Sequence, residues 1–157
     1  MASAFHVFFL LCGISGLVAG SWYERTVRVP SCPKNFTRVD DRCFRFIHEE
    51  RTFEDAELVC NALGGNLASV ISAVENEIIL ELARSDPPQL TWIGYNDIAM
   101  DTTFVWTDGT DPGFTNWETV APVNATENCV LINGNGDFWD DEECGEDHYF
   151  VCVACPH

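Results

Sequence analysis

The first twenty residues, MASAFHVFFLLCGISGLVAG, contain no Lys, Arg, Asp or Glu. Their apolar core is too short for a membrane span, and Val18 and Gly20 are small residues suited to cleavage before Ser21. The sequence therefore predicts a secretory signal peptide over residues 1–20, one that lacks a basic n-region. No later stretch is apolar for long enough to cross a bilayer, so the expected mature product is a soluble, secreted protein without a membrane span. Basic residues are scarce: 8 Lys and Arg stand against 25 Asp and Glu, all beyond residue 20, for a net charge of −17. Such a surface repels phosphates, which excludes nucleic acid as a partner. It suits cations, cationic partners or a mineral face, although dispersal in water alone would also account for it.

Catalytic patterns are missing as well. His48, His148 and His157 have no serine or cysteine partner in a recognisable motif. The glycines of Asn133-Gly134-Asn135-Gly136 form a turn and no phosphate cradle. The stretch from Asn133 to Cys144 does not make an EF-hand, because Phe138 takes the required glycine position and Cys144 the required glutamate position. Zinc knuckles are absent, since Cys152-x-x-Cys155 has no second pair. The sequence predicts a binding protein and no enzyme.

Beyond residue 20 there are seven cysteines: Cys32, Cys43, Cys60, Cys129, Cys144, Cys152 and Cys155. In an oxidising compartment most should pair, and an odd number leaves one over; counting alone does not fix the pairing. Ser21 to Ser31 is a short arm, and Cys32 to Phe46 reads as a small hairpin turning at Val39-Asp40-Asp41-Arg42. Thr52-Phe53-Glu54-Asp55 starts a helix whose Phe53, Ala56, Cys60 and Leu63 share a face, and Gly64-Gly65 stops it. A brief strand over Asn66 to Val70 follows. Ser72-Ala73-Val74-Glu75 starts a second helix lined by Val74, Ile78 and Leu82, ending before Asp86-Pro87-Pro88. Strands are expected at Thr91–Tyr95, Thr103–Trp106, Cys129–Ile132, Phe138–Asp140 and Tyr149–Val153. A long irregular stretch from Thr110 to Asn128 separates them, and loops of that length in a compact domain are usually functional. Helices first and most strands later indicate α+β with mainly antiparallel sheets. Trp92, Trp106, Trp117 and Trp139 are assigned to the core.

The order of WIG at 92–94, FVWTDG at 104–109, FTNW at 114–117, ENC at 127–129 and WDD at 139–141 resembles the long form of the C-type lectin-like domain, over Cys32 to Cys155. The resemblance implies disulfides Cys32–Cys43, Cys60–Cys152 and Cys129–Cys144. It leaves Cys155 either as a free or blocked thiol or as a bridge to a second chain in a disulfide-linked dimer. It also implies calcium, an ion that takes about six to eight oxygen ligands. Glu127 matches the glutamate before the cysteine, Asp140 and Asp141 match the Asn-Asp pair after the tryptophan, and Pro122 matches the central proline of the ligand loop. Ala121 and Val123 stand where the family carries Glu or Gln and Asn or Asp, so two side-chain ligands are missing and weak calcium binding is expected. A second ion position matches Asp97, Asp101, Asn124 and Asn128. Asn35-Phe36-Thr37 and Asn124-Ala125-Thr126 are N-glycosylation sequons; a glycan on Asn124 would compete with its role as an ion ligand. The implied function is a secreted calcium-dependent carbohydrate-binding lectin with a divergent sugar loop. The alternative is a lectin-like protein that binds a protein, ice or mineral surface.

Overall fold

The computed structural model describes residues 30–84, 88–118 and 126–157. The proposed signal peptide, most of the arm and the loop positions Ala121, Pro122, Val123 and Asn124 lie outside the described residues.

Among the described residues two helices flank one eight-stranded sheet ordered β1-β2-β8-β4-β6-β7, with β3 added on β8 and β5 on β4. Strand β1 (Thr37–Val39) turns through Asp40-Asp41 into β2 (Arg42–Arg51), with Val39 opposite Arg42. The hairpin turn falls where the sequence puts it, but β2 continues well past Phe46. Helix α1 (Phe53–Ala62) begins at Thr52, whose side-chain hydroxyl accepts from the Asp55 N–H at 3.3 Å. It ends at Gly64, whose φ of +88° suits glycine. At Gly65 a side chain is excluded for a different reason: a Cβ there would lie 1.9 Å from the Val153 carbonyl oxygen. Strand β3 is only Asn66–Leu67, and α2 (Ala73–Ala83) is capped by the Ser72 hydroxyl, which accepts from the Glu75 N–H at 3.2 Å.

The remaining strands are β4 (Leu90–Asn96), β5 (Val105–Trp106), β6 (Cys129–Asn133), β7 (Trp139–Glu142) and β8 (His148–Ala154). All pairings are antiparallel except β4 with β8. Successive residues on a strand face opposite ways, and the sheet is covered on both sides. One face carries Ile93, Tyr95, Val130, Ile132, Val151 and Val153 against Ile79 and Leu80 of α2. The other carries Trp92, Leu131, Phe150 and Cys152 against Phe53, Ala56 and Cys60 of α1. This explains why β4 is buried without alternation from Thr91 to Asn96.

The buried stripe of α2 differs from the one expected. Val74 is 63 % exposed, and Glu75, Asn76, Ile79, Leu80 and Ala83 face inward. Hydrogen bonding is the reason. The Arg42 guanidinium donates to Glu75 Oε2 at 2.7 Å, and the Trp139 indole N–H donates to Asn76 Oδ1 at 2.8 Å. Polar side chains with buried partners displaced the stripe that apolar spacing alone suggests. Arg42 also donates to the hydroxyl and carbonyl of Ser69, whose hydroxyl donates to Asp108.

Among the described residues three disulfides close, Cys32–Cys43, Cys60–Cys152 and Cys129–Cys144, and Cys155 is left free and exposed. The second joins α1 to β8; the third ties the start of β6 to the segment after β7.

Candidate functional site

Strand β7 is held from three sides. The Trp139 backbone N–H donates to the Asn116 carbonyl at 2.9 Å, and its indole is fixed by Asn76. Its ring meets Trp106, Trp117, Tyr95 and Phe114 at centroid distances of 5.7, 5.8, 5.8 and 5.8 Å. Asp140 and Asp141 therefore hang from an immobilised backbone. Trp92, Trp106 and Trp139 are core residues, while Trp117 is half-buried.

Asp140 and Asp141 lie inside the strand, where side chains alternate. Asp140 is exposed and lines a cleft with Glu118. Asp141 is half-buried, and its Oδ2 is buried with no hydrogen-bond partner among the described residues. The other such atoms belong to Trp106, Thr107 and His148, so Asp141 is the one carboxylate among them. Burial, first, and then the charges of Glu127, Asp140 and Asp97 push its carboxyl from 3.8 up to about 6, against the lowering effect of a backbone hydrogen bond. The structure thus gathers negative charge around Asp141 from the Cys129 side of the loop (Glu127) and from the end of β4 (Asp97).

Of the second expected ion position, Asp97 and Asn128 meet. The Asn128 side-chain amide donates to Asp97 Oδ1 at 3.0 Å, and the Thr102 N–H donates to Asp97 Oδ2 at 2.7 Å. The Asp97 N–H in turn donates to the Asn128 carbonyl at 3.1 Å. Two N–H donors thus serve the buried Asp97 carboxylate where an ion was expected. Asp101 is exposed on the intervening turn and has no hydrogen bond or ion pair among the described residues.

The donor chemistry around Asp141 suits a hard divalent ion: carboxylate oxygens, one of them buried and unpartnered. Among the described residues, however, no three His, Cys, Asp or Glu side chains are arranged to hold a metal. Fit is therefore partial. Asn35, the other sequon asparagine, is exposed on the turn before β1 with a φ of +68°, and Thr37 beside it is exposed.

Sequence reasoning missed two features. One is the Arg42–Glu75–Ser69–Asp108 network, whose members look like surface residues in the sequence. The other is the participation of Glu118, Asn135 and Phe138 in the cleft beside Asp140; an aromatic amid amides and acids was its only signal. The charge is also unevenly distributed: beyond Arg84 the sequence has 14 Asp and Glu and no Lys or Arg.

Residues 49–154 match the family model described as the lectin C-type domain. The galactose-specific lectin nattectin of Thalassophryne nattereri is 33 % identical over 159 residues, covering 98 % of each chain. Ladderlectin of Oncorhynchus mykiss is 34 % identical over 73 % of this chain and 63 % of its own. The alpha-N-acetylgalactosamine-specific lectin of Patiria pectinifera is 34 % identical over 78 % of this chain and 80 % of its own. Among solved structures, a calcium-independent type II antifreeze protein superposes with a TM-score of 0.76 at 27 % identity, covering 83 % of this chain and 99 % of that one. The herring type II antifreeze protein gives 0.75 at 31 % identity, covering 80 % and 100 %. With the fold, the three disulfides and the matched span in agreement, the chain belongs to the C-type lectin domain family.

Proposed function

We propose that this protein is an extracellular lectin that holds calcium weakly through Asp141, Glu127 and Asp140 and binds carbohydrate beside the ion. The observation that carries the reading is the buried, unpartnered Oδ2 of Asp141, surrounded by the charges of Glu127, Asp140 and Asp97. A carboxylate in that position is relieved either by a proton or by a cation. Calcium would supply coordination for sugar hydroxyls. Ala121 and Val123 bring no side-chain oxygen to the loop, so affinity is expected near the millimolar end of extracellular modules. Galactose-type sugars are the first ligands to try, because nattectin and the Patiria lectin carry galactose and N-acetylgalactosamine specificity in their names. Three disulfides suit an oxidising, extracellular compartment. Among the described residues no helix is long and apolar enough to cross a membrane. We read the protein as a binder and no catalyst.

A second reading, binding of a protein, ice or mineral surface, is favoured by the antifreeze neighbours and by the internal satisfaction of Asp97. A calcium titration followed by thermal melting, paired with a glycan array read with and without chelator, separates the two. A calcium-dependent rise in Tm with a chelator-sensitive glycan signal supports the lectin. No response in either abandons it for the second reading.

A further inference from the structure

Helix α1 and the turn after β4 enclose an apolar groove. Phe53, Glu54, Glu57 and Leu58 of the helix line it with Ile98 of the turn, and it measures about 400 Å³. That falls in the lower part of the roughly 300–1,000 Å³ typical of ligand pockets. None of these residues belongs to the acid group around Asp141. The floor is Phe53, buried and fixed edge-on against Trp92 with ring centroids 5.7 Å apart. The walls are Leu58 and Ile98, which leave 60 % and 58 % of their surface in water. A single exposed leucine would need no explanation, but two such side chains facing one groove mark a surface open to a partner.

The rim is acidic. Glu54 has no hydrogen bond or ion pair among the described residues. Glu57 is held in place: its Oε1 accepts from the side-chain amides of Asn61 and Asn66 at 2.8 and 2.6 Å, and its Oε2 from the Leu67 N–H at 2.7 Å. These donors are all neutral, so its charge persists. No Lys or Arg lines the groove, and helix α1 contains none. The lining side chains include no hydrogen-bond donor, which disfavours a sugar or a nucleotide.

We propose that this groove docks a cationic amphipathic peptide segment of another protein. One aliphatic or aromatic side chain enters between Leu58 and Ile98 and rests on Phe53, and flanking Lys or Arg side chains pair with Glu54 and Glu57. Charge selects the occupant. A second copy of this chain would bring a net charge of −17 against −17, and an anionic membrane surface is repelled likewise. A basic segment is drawn in. The docking surface goes beyond the lectin reading and needs neither sugar nor calcium.

The test uses the whole protein, 15N-labelled, titrated in EDTA with a short synthetic amphipathic peptide of leucine and lysine. Expected are amide shifts centred on Phe53–Leu58 and Ile98, with affinity about tenfold weaker in L58S, the loss of one buried aliphatic contact. E54Q should weaken binding at low salt and little at high salt, as a rim charge does. V74S removes an exposed aliphatic side chain of α2, outside the groove, and should bind as the wild type does. Leu58 and Val74 are both exposed, so L58S and V74S should melt with the wild type. Absence of shifts on α1 overturns the proposal, as does unchanged affinity in L58S or an equal loss in V74S. A peptide of serine and lysine that binds as tightly also overturns it, because charge alone then suffices. So does a dimer in sedimentation that L58S dissolves, since a second copy is then the occupant. None of these outcomes bears on the lectin reading, whose residues lie outside the groove.

Discussion

Replacing Asp141 with Asn probes the acid group where it is least compensated. Burial and the neighbouring charges of Glu127, Asp140 and Asp97 push this carboxyl up to about 6. A carboxyl whose pKa rises on folding opposes the folded state once it ionises. Its relative contribution is fully present below about pH 4 and is lost as pH rises through about 6. A shift of about two units is worth about 3 kcal/mol unscreened, and the solvent reaching this half-buried group cuts that to roughly 1–2 kcal/mol. Asparagine imitates the protonated form at every pH. In chelator, wild type and D141N should therefore melt together near pH 4, and D141N should melt about 3–8 °C higher at pH 7.5. The other carboxylates titrate in both proteins, so the difference isolates this side chain. Calcium at pH 7.5 should raise the wild type and leave D141N nearly unmoved, because an ion that binds only the folded state stabilises it. Scanning calorimetry at half-unit pH steps, with chelator and with calcium, reads both effects. A D141N protein that melts at or below the wild type at pH 7.5 in chelator refutes the electrostatic reasoning.

Three structural predictions stand beside it. E75A should cost about 1–3 kcal/mol in urea unfolding, because it removes the nearer of the two carboxylates that pair with the largely buried Arg42 guanidinium, at 2.7 Å, and leaves only Asp108 at 3.8 Å. N76A orphans the Trp139 indole N–H and should cost about 1–3 kcal/mol by the same assay. C60A/C152A opens a sequence separation of 92 residues and should cost about 4 kcal/mol in the chain-entropy model, read from the urea midpoint under non-reducing conditions.

The sequence disclosed the parts of the fold whose causes are local. Thr52 and Ser72 cap the helices they were expected to cap, and the turns at Asp40-Asp41 and Gly64-Gly65 fall in place. The disulfides came from family resemblance, since seven cysteines alone leave many pairings. What depends on partners distant in sequence was hidden. Glu75 and Asn76 point inward only because Arg42 and Trp139 wait there, 33 and 63 residues away along the chain. Asp140 and Asp141 were matched to a ligand pair by family resemblance, and only the register against β6 shows that they occupy successive positions of β7 opposite Leu131 and Val130. Asp97 was matched to an ion position by family resemblance; what the sequence did not show is that the Thr102 backbone N–H and the Asn128 side-chain amide each donate to one of its carboxylate oxygens. Backbone N–H groups in a turn leave no mark in a one-dimensional pattern.

The absence of Lys and Arg beyond Arg84 bears on how a ligand arrives. Apart from Asp137, which pairs with Arg84 at 3.1 Å, the exposed carboxylates of β7 and of the turns around it have no ion pair among the described residues, so their combined field draws cations in from a distance. At physiological ionic strength that field fades over about 8 Å. On the proposed calcium reading, remote acids such as Glu143 and Glu146 would govern how often an ion reaches the sheet edge, while Asp141 and Glu127 would govern how long it stays. Neutralising the remote acids should flatten the salt dependence of the association rate and leave the dwell time of the ion nearly constant.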